Sequence, residues 1–181
     1  MIVKQRPAEF AFTIIELLIV MAIIIILAGL VLGISGYAHE KGARSRAEAE
    51  IAAMSAALEN YKADNGIYPS DPSTQALDPT TKPDFSSYAT ASLYLYKTLS
   101  GSDEKRAPIT GAKSYFAFKP NQLSPADGKS DIQAIRDPFG NSYGYSTKRS
   151  ATGSGGYNPT YDLWSTGGET EAATAKWIKN W

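Results

Sequence analysis

The feature that most limits what this chain can fold into is an unbroken apolar run. Across residues 17–34, LLIVMAIIIILAGLVLGI, no side chain is charged or strongly polar. About 18 such residues in a row reach the length of a membrane-spanning helix, and the run is long for a buried helix of a soluble domain. Within it, only a helix satisfies every backbone N–H and C=O without water. Glu16 breaks the pattern inside the same block, FTIIELLIV. A carboxylate near a bilayer core costs on the order of 2.5–3.5 kcal/mol on insertion scales, so it requires an explanation.

Residues 1–11, MIVKQRPAEFA, form a short polar leader with Lys4, Arg6 and Glu9. A secretory signal peptide has a shorter apolar core followed by a small-residue cleavage site. Here the run is longer, and AHEKGARSRAEAE after it continues a helical pattern. That pattern alone leaves an uncleaved signal anchor open. Lys and Arg flank both ends, so charge alone does not orient the segment. Past the run, Ala47, Ile51, Met54, Leu58 and Tyr61 recur at intervals of three and four, one face of a helix. Arg46, Glu50, Glu59 and Lys62 are expected on the opposite face. Asn65-Gly66 and then Pro69 stop the helix. Residues 12–64 are therefore expected to form one helix ~80 Å long. Its second half carries an apolar stripe that must dock on a C-terminal domain. Gly29 and Gly33 form a G-x-x-x-G pair, with Gly36 nearby. Such glycines let helices approach closely, or loosen the helix that contains them.

The remainder reads as a small α+β domain. Residues 67–87 are rich in Pro, Ser, Thr and Asp and are expected as a surface loop. A short helix is expected over residues 89–99, with Leu93, Tyr96 and Leu99 inward. SYFAFK, residues 114–119, alternates aromatics and predicts a strand. Residues 121–135 look irregular, and DPFGN at 137–141 is a turn. Further strands are expected at 142–147 and 161–165, with a Gly/Ser-rich connection at 148–159 that is mobile at its tip. The sum is a long N-terminal helix on a small antiparallel sheet. The domain boundaries follow: 1–11 leader, 12–36 apolar helix, 37–65 amphipathic continuation, 66–181 globular α+β domain.

The chemistry is sparse. Eighteen basic and eighteen acidic side chains balance, which argues against nucleic acid as a partner. The absence of cysteine excludes disulfides, thiolate catalysis and Cys-based zinc sites. The lone His39 cannot form a zinc cluster. No phosphate-loop, dinucleotide or nucleophile-elbow motif occurs. Asp127 with Asp131, and Asp162 with Glu169, are either solvated turn residues or part of a calcium loop. No catalytic set is expected, and no metal is assigned.

Ala11 followed by FTIIELLIV, with Glu16 four residues after Phe12, resembles the prepilin cleavage site of type IV pilins and type II secretion pseudopilins. YKADNGIYP at 61–69, DPFGNSYGY at 137–145, YDLWS at 161–165 and the terminal Asn180-Trp181 are similar to parts of the major pseudopilin. The resemblance implies cleavage between Ala11 and Phe12 by a prepilin peptidase and N-methylation of Phe12. It implies an inner-membrane, single-pass subunit with a periplasmic C-terminal domain. It further implies polymerisation with itself and minor pseudopilins by an assembly ATPase and an inner-membrane platform. Glu16 would then neutralise the amine of Phe12, in its own chain or a neighbour's.

The sequence departs from the family at three places. Ala11 stands where Gly is usual, and Gly33 stands where many members have Pro. The 167–179 segment carries only Glu169 and Glu171 where the major pseudopilin's calcium loop has several Asp residues, so calcium is not expected. The missing cysteines separate the chain from type IVa pilins. An adhesive, motility or DNA-uptake type IV pilin is the nearest alternative. A membrane-tethered carbohydrate-binding module, using the Tyr- and Trp-rich surface, is the alternative from another class.

Overall fold

The computed structural model describes residues 12–81, 85–169 and 174–181, with side chains at 31–35 and 85–87 excepted. Helix α1 spans Ile14–Asn65. The chain forms two compact units, Met1–Lys41 and Gly42–Trp181. The expected leader falls outside the described residues. Among those described, no helix is long and apolar enough to cross a membrane. The expected single-pass span at 12–36 includes residues 31–35, whose side chains lie outside those described.

In Gly42–Trp181, the outer part of α1 is amphipathic, as its spacing predicts. Ala47, Ile51, Met54, Ala57 and Leu58 are buried, and Tyr61 is partly buried against the same core. The expected opposite face needs one correction. Glu50 is buried, because its carboxylate accepts from Arg46 Nε at 2.8 Å and from the Tyr143 hydroxyl at 2.8 Å. Burial, and then the charge of Glu50, push the Tyr143 hydroxyl far above its ordinary pKa, so it stays a donor. Gly66 ends the helix at φ 80°, and its N–H reaches the Lys62 carbonyl. That left-handed conformation is open to glycine without steric penalty.

The expected loop at 67–87 is partly helical. Asp71 caps the short helix α2 (Pro72–Ala76) by accepting from the Thr74 N–H, with Pro72 at a position where a missing N–H does no harm. Helix α3 (Phe85–Ser100) begins earlier than the expected 89–99 and buries Tyr88, Ala91, Leu95, Tyr96 and Leu99. Leu93 is only half-buried.

The aromatic stretch at 114–119 is not a strand. The Tyr115 and Phe116 N–H groups both donate to the Leu99 carbonyl at the end of α3, so no ladder forms. Tyr115, Phe116 and Phe118 still pack on the core from outside any strand. A 3-10 turn follows at Pro120–Gln122. The stretch expected to be irregular contains strands β1 (Leu123–Ser124) and β2 (Ala134–Ile135), an antiparallel pair.

Strands β3 (Gly144–Ser146), β4 (Asp162–Ser165) and β5 (Ile178–Lys179) form an antiparallel sheet in the order β3-β4-β5. Gly144 lies opposite Trp164, and Tyr145 opposite Leu163. The turn before β3 is as expected: buried Asp137 accepts from the Phe139 and Asn141 N–H groups and from the Ser165 hydroxyl. The connection at 148–159, expected to be mobile at its tip, is held by side-chain contacts to its backbone. It opens with helix α4 (Lys148–Thr152), and two buried carboxylates then hold it. Asp162 accepts from the Tyr157 and Asn158 N–H groups, while Asp78 accepts from Gly156 N–H and pairs with Lys148 at 3.1 Å. The result is the α+β arrangement expected from sequence: α1, α3 and the sheet share one core of Met54, Leu58, Leu95, Tyr143, Tyr145 and Leu163.

Two consequences can be measured. A Cβ at Gly144 would overlap the Trp164 ring carbons, so Gly144→Ala is expected to destabilise the domain by about 3 kcal/mol, read as a lowered thermal midpoint. Asp78 supplies a pH signature. Burial pushes its pKa up, but Thr80, Gly156 and Lys148 outweigh that and bring it from 3.8 to about 2. A lowered carboxylate pKa stabilises the fold above the unfolded value, and this is lost as pH falls through the folded one. Asp78→Asn should therefore destabilise by about 2 kcal/mol at neutral pH, with the gap to the parent closing between about pH 4 and pH 2. A gap that stays constant down to acid pH would contradict this assignment.

Candidate functional site

The described residues of Met1–Lys41 contain the chain's most unusual surface. Leu17, Leu18, Ile19, Val20 and Met21 are all exposed, as are Ile23, Ile24, Ile25, Ile26 and Leu27. Successive residues of an α-helix project about 100° apart, so five in a row cover every side of the cylinder. A helix apolar all round is suited to complete burial, not to a one-sided contact. Exposed apolar surface of this extent marks an interaction site for protein or lipid.

Thr13 and Glu16 begin this helix together. The Glu16 N–H donates to Thr13 Oγ1 at 3.3 Å. In return, the Thr13 N–H and hydroxyl donate to Glu16 Oε2 at 2.9 and 2.7 Å. This is a capping box: two orphan N–H groups at the helix start are satisfied reciprocally. The carboxylate also meets the positive end of the helix dipole. Both local bonds fall on Oε2, and Oε1 has no partner among the described residues. Glu16 thus has a structural reason for its position and an oxygen still available to a cation. Sequence reasoning singles out Glu16 and misses Thr13, although T-x-x-E before an apolar run is the capping-box pattern.

Phe12 is exposed beside this cap, whereas Ala11 lies outside the described residues. Gly29 and Gly36 lie within α1, and a Cβ at either would meet nothing within 4 Å. Among the described residues, neither packs against another part of the chain. Gly33 falls among residues whose side chains are not described.

Asp127, Asp162 and Glu169, considered for calcium, have other partners. Asp127 accepts from the Lys129 and Ser130 N–H groups and the Ser130 hydroxyl within its own turn. Asp131 is exposed, and Asp162 holds the 157–158 backbone. Glu169 pairs with Lys176 at 2.8 Å, and Glu171 is outside the described residues. Among the described residues no group of three or more His, Cys, Asp or Glu could hold a metal ion. The Trp rings pack against other aromatics. Trp164 and Trp177 are buried and stacked on each other, and Trp181 stacks on Tyr157 at 4.6 Å.

The chain is similar to a type II secretion system core protein G from Aeromonas hydrophila. The two are 36% identical over 89 residues, which cover 46% of this chain and 61% of that protein. The chain thus spans about three fifths of the length of the curated relative it matches. No family model matches the chain. No solved structure matches it.

The cap itself is testable. Thr13→Ala in detergent micelles is expected to speed amide exchange at Glu16 and Leu17 about fivefold, equivalent to ~1 kcal/mol, while Thr13→Ser leaves it unchanged.

Proposed function

We propose that this chain is a structural subunit of a pseudopilus-like filament in a type II secretion-like system, and not an enzyme. The observation that carries this reading is the α1 segment exposed on all sides with apolar residues, begun by a carboxylate with one free oxygen. The similarity to a secretion system core protein supports it. In this reading, a prepilin peptidase cuts between Ala11 and Phe12 and methylates Phe12. The 12–36 segment rests in the inner membrane until an assembly ATPase and platform draw it into a filament with copies of itself and minor pseudopilins. The 66–181 domain faces the periplasm.

The physics of assembly follows from Glu16. Cleavage would create an α-amine at Phe12, cationic near neutral pH, and methylation keeps that charge. When many apolar helices bundle, both charges enter a low-dielectric core. Oε1 accepts the amine of a neighbour while Oε2 keeps the Thr13 cap. A register that leaves the carboxylate without a cation carries an uncompensated buried charge worth ~3–5 kcal/mol. The pairing therefore selects one stagger among the many that apolar contact alone permits. Gly29, Gly33 and Gly36 permit close helix approach in the same bundle.

Mass spectrometry of the mature protein should find N-methyl-Phe12 as the first residue. Glu16→Ala should reach the membrane in normal amounts and yield few filaments. An intact Met1 in the mature protein, or wild-type filament yields from Glu16→Ala, would overturn the reading.

A further inference from the structure

A polymer of identical subunits needs two different surfaces that fit each other, because a self-complementary patch closes at a dimer. Within Gly42–Trp181, the outer part of α1 carries such a pair. Arg46 and Glu48 are two residues apart, about 200° around the helix, so they leave from opposite flanks.

On the Arg46 flank lies an open groove of about 540 Å³. Ala49 and Ala53 form its α1 wall, and Phe116, Lys119 and Gln122 line the other side. Arg46 gives its Nε to the buried Glu50, and its side chain remains 45% exposed. Lys119 is exposed, and its ammonium has no acidic partner among the described residues. Its backbone is held in place: the N–H donates to Gln122 Oε1 at 2.9 Å, and the residue before Pro120 is confined to an extended conformation. With Glu50 neutralising one cation, this flank retains a net positive charge. Its alanine wall lets a second backbone approach closely.

The other flank is acidic. Glu48 is exposed with no basic partner among the described residues. Three turns on, at nearly the same angle, Glu59 is exposed and, among the described residues, accepts only a neutral hydroxyl, that of Tyr68. Arg44, one turn before Glu48, is turned inward to the Lys176 carbonyl at 2.9 Å. Ala52, one turn after Glu48, is exposed and small.

We infer that the Arg46/Lys119 groove of one subunit receives the Glu48 flank of the next copy of this chain. The contact is head-to-tail, so it propagates without closing, and it rests on the filament reading above. It sets the lateral neighbour outside the apolar core, where Glu16 does not reach. Opposite charges favour this pairing, and groove-to-groove or flank-to-flank contacts would place like charges together.

The chain has no cysteine, which gives a clean test in the full-length protein with its export machinery. Glu48→Lys and Lys119→Glu should each lower filament yield about tenfold, and the double variant should restore it. Each variant should melt at the wild-type temperature, since both residues are exposed. Co-expressed Glu48→Cys and Lys119→Cys copies should form a disulfide dimer under oxidation within filaments. Filaments in which the double variant is no better than the worse single, or in which the cysteine copies do not cross-link, would overturn this interface and leave the filament reading standing. Failure of the wild-type chain to polymerise would overturn both.

Discussion

The structure depends on one helix having two different solvation requirements. Over Ala47, Ile51, Met54, Ala57 and Leu58, α1 offers a single apolar stripe, and its own C-terminal domain covers it. Over Leu17 to Leu30 the apolar side chains face every direction and stay exposed in the single chain. Burial of apolar area is favourable by roughly 25 cal/mol per Å² and has no direction of its own. A one-sided stripe can therefore be satisfied within one molecule, whereas an all-round apolar cylinder requires lipid or other molecules.

Around the docked stripe, the domain is held by buried carboxylates that organise loops. Asp137 closes the turn before β3 and ties it to Ser165 on β4. Asp162 and Asp78 bind the glycine-rich connection from two sides. Glu50 anchors the long helix to Tyr143. Each bond is individually modest, yet removing one partner would leave a buried polar group unsatisfied, which is the larger penalty. The sheet itself is short. Its fit rests on Trp164 filling the space that Gly144 leaves empty, with Trp177 stacked behind it. A small domain with no disulfide obtains its cohesion from these contacts.

Local pattern and final structure part company at identifiable residues. The stripe on α1, the Asn65-Gly66 stop and the 137–141 turn were legible because each is decided within a few residues. SYFAFK has the alternation of a strand, yet the Leu99 carbonyl takes two of its N–H groups and no partner strand lies alongside among the described residues. Glu50 has the charge of a surface residue but meets the hydroxyl of Tyr143, just before β3 and far along the chain. The 148–159 segment has the composition of a mobile loop and is tied by Asp78, which no local pattern could connect to it. The capping role of Thr13 was available in T-x-x-E, a purely local signal that is easily passed over beside so conspicuous an acid.

By itself the sequence determined that a long apolar segment begins with an acid, that an amphipathic helix continues it, and that an α+β domain follows. Those are properties of neighbours in the chain: runs, periods, caps and turn residues act over one or two helical turns. Only the tertiary structure decided that Glu50 is an internal anchor, that Trp164 and Trp177 belong to the core, and that a positive groove and an acidic flank lie on opposite sides of one helix. These depend on which distant segments meet, and the free energy of a buried charge or a filled cavity is set by the partner it finds, not by the residues beside it.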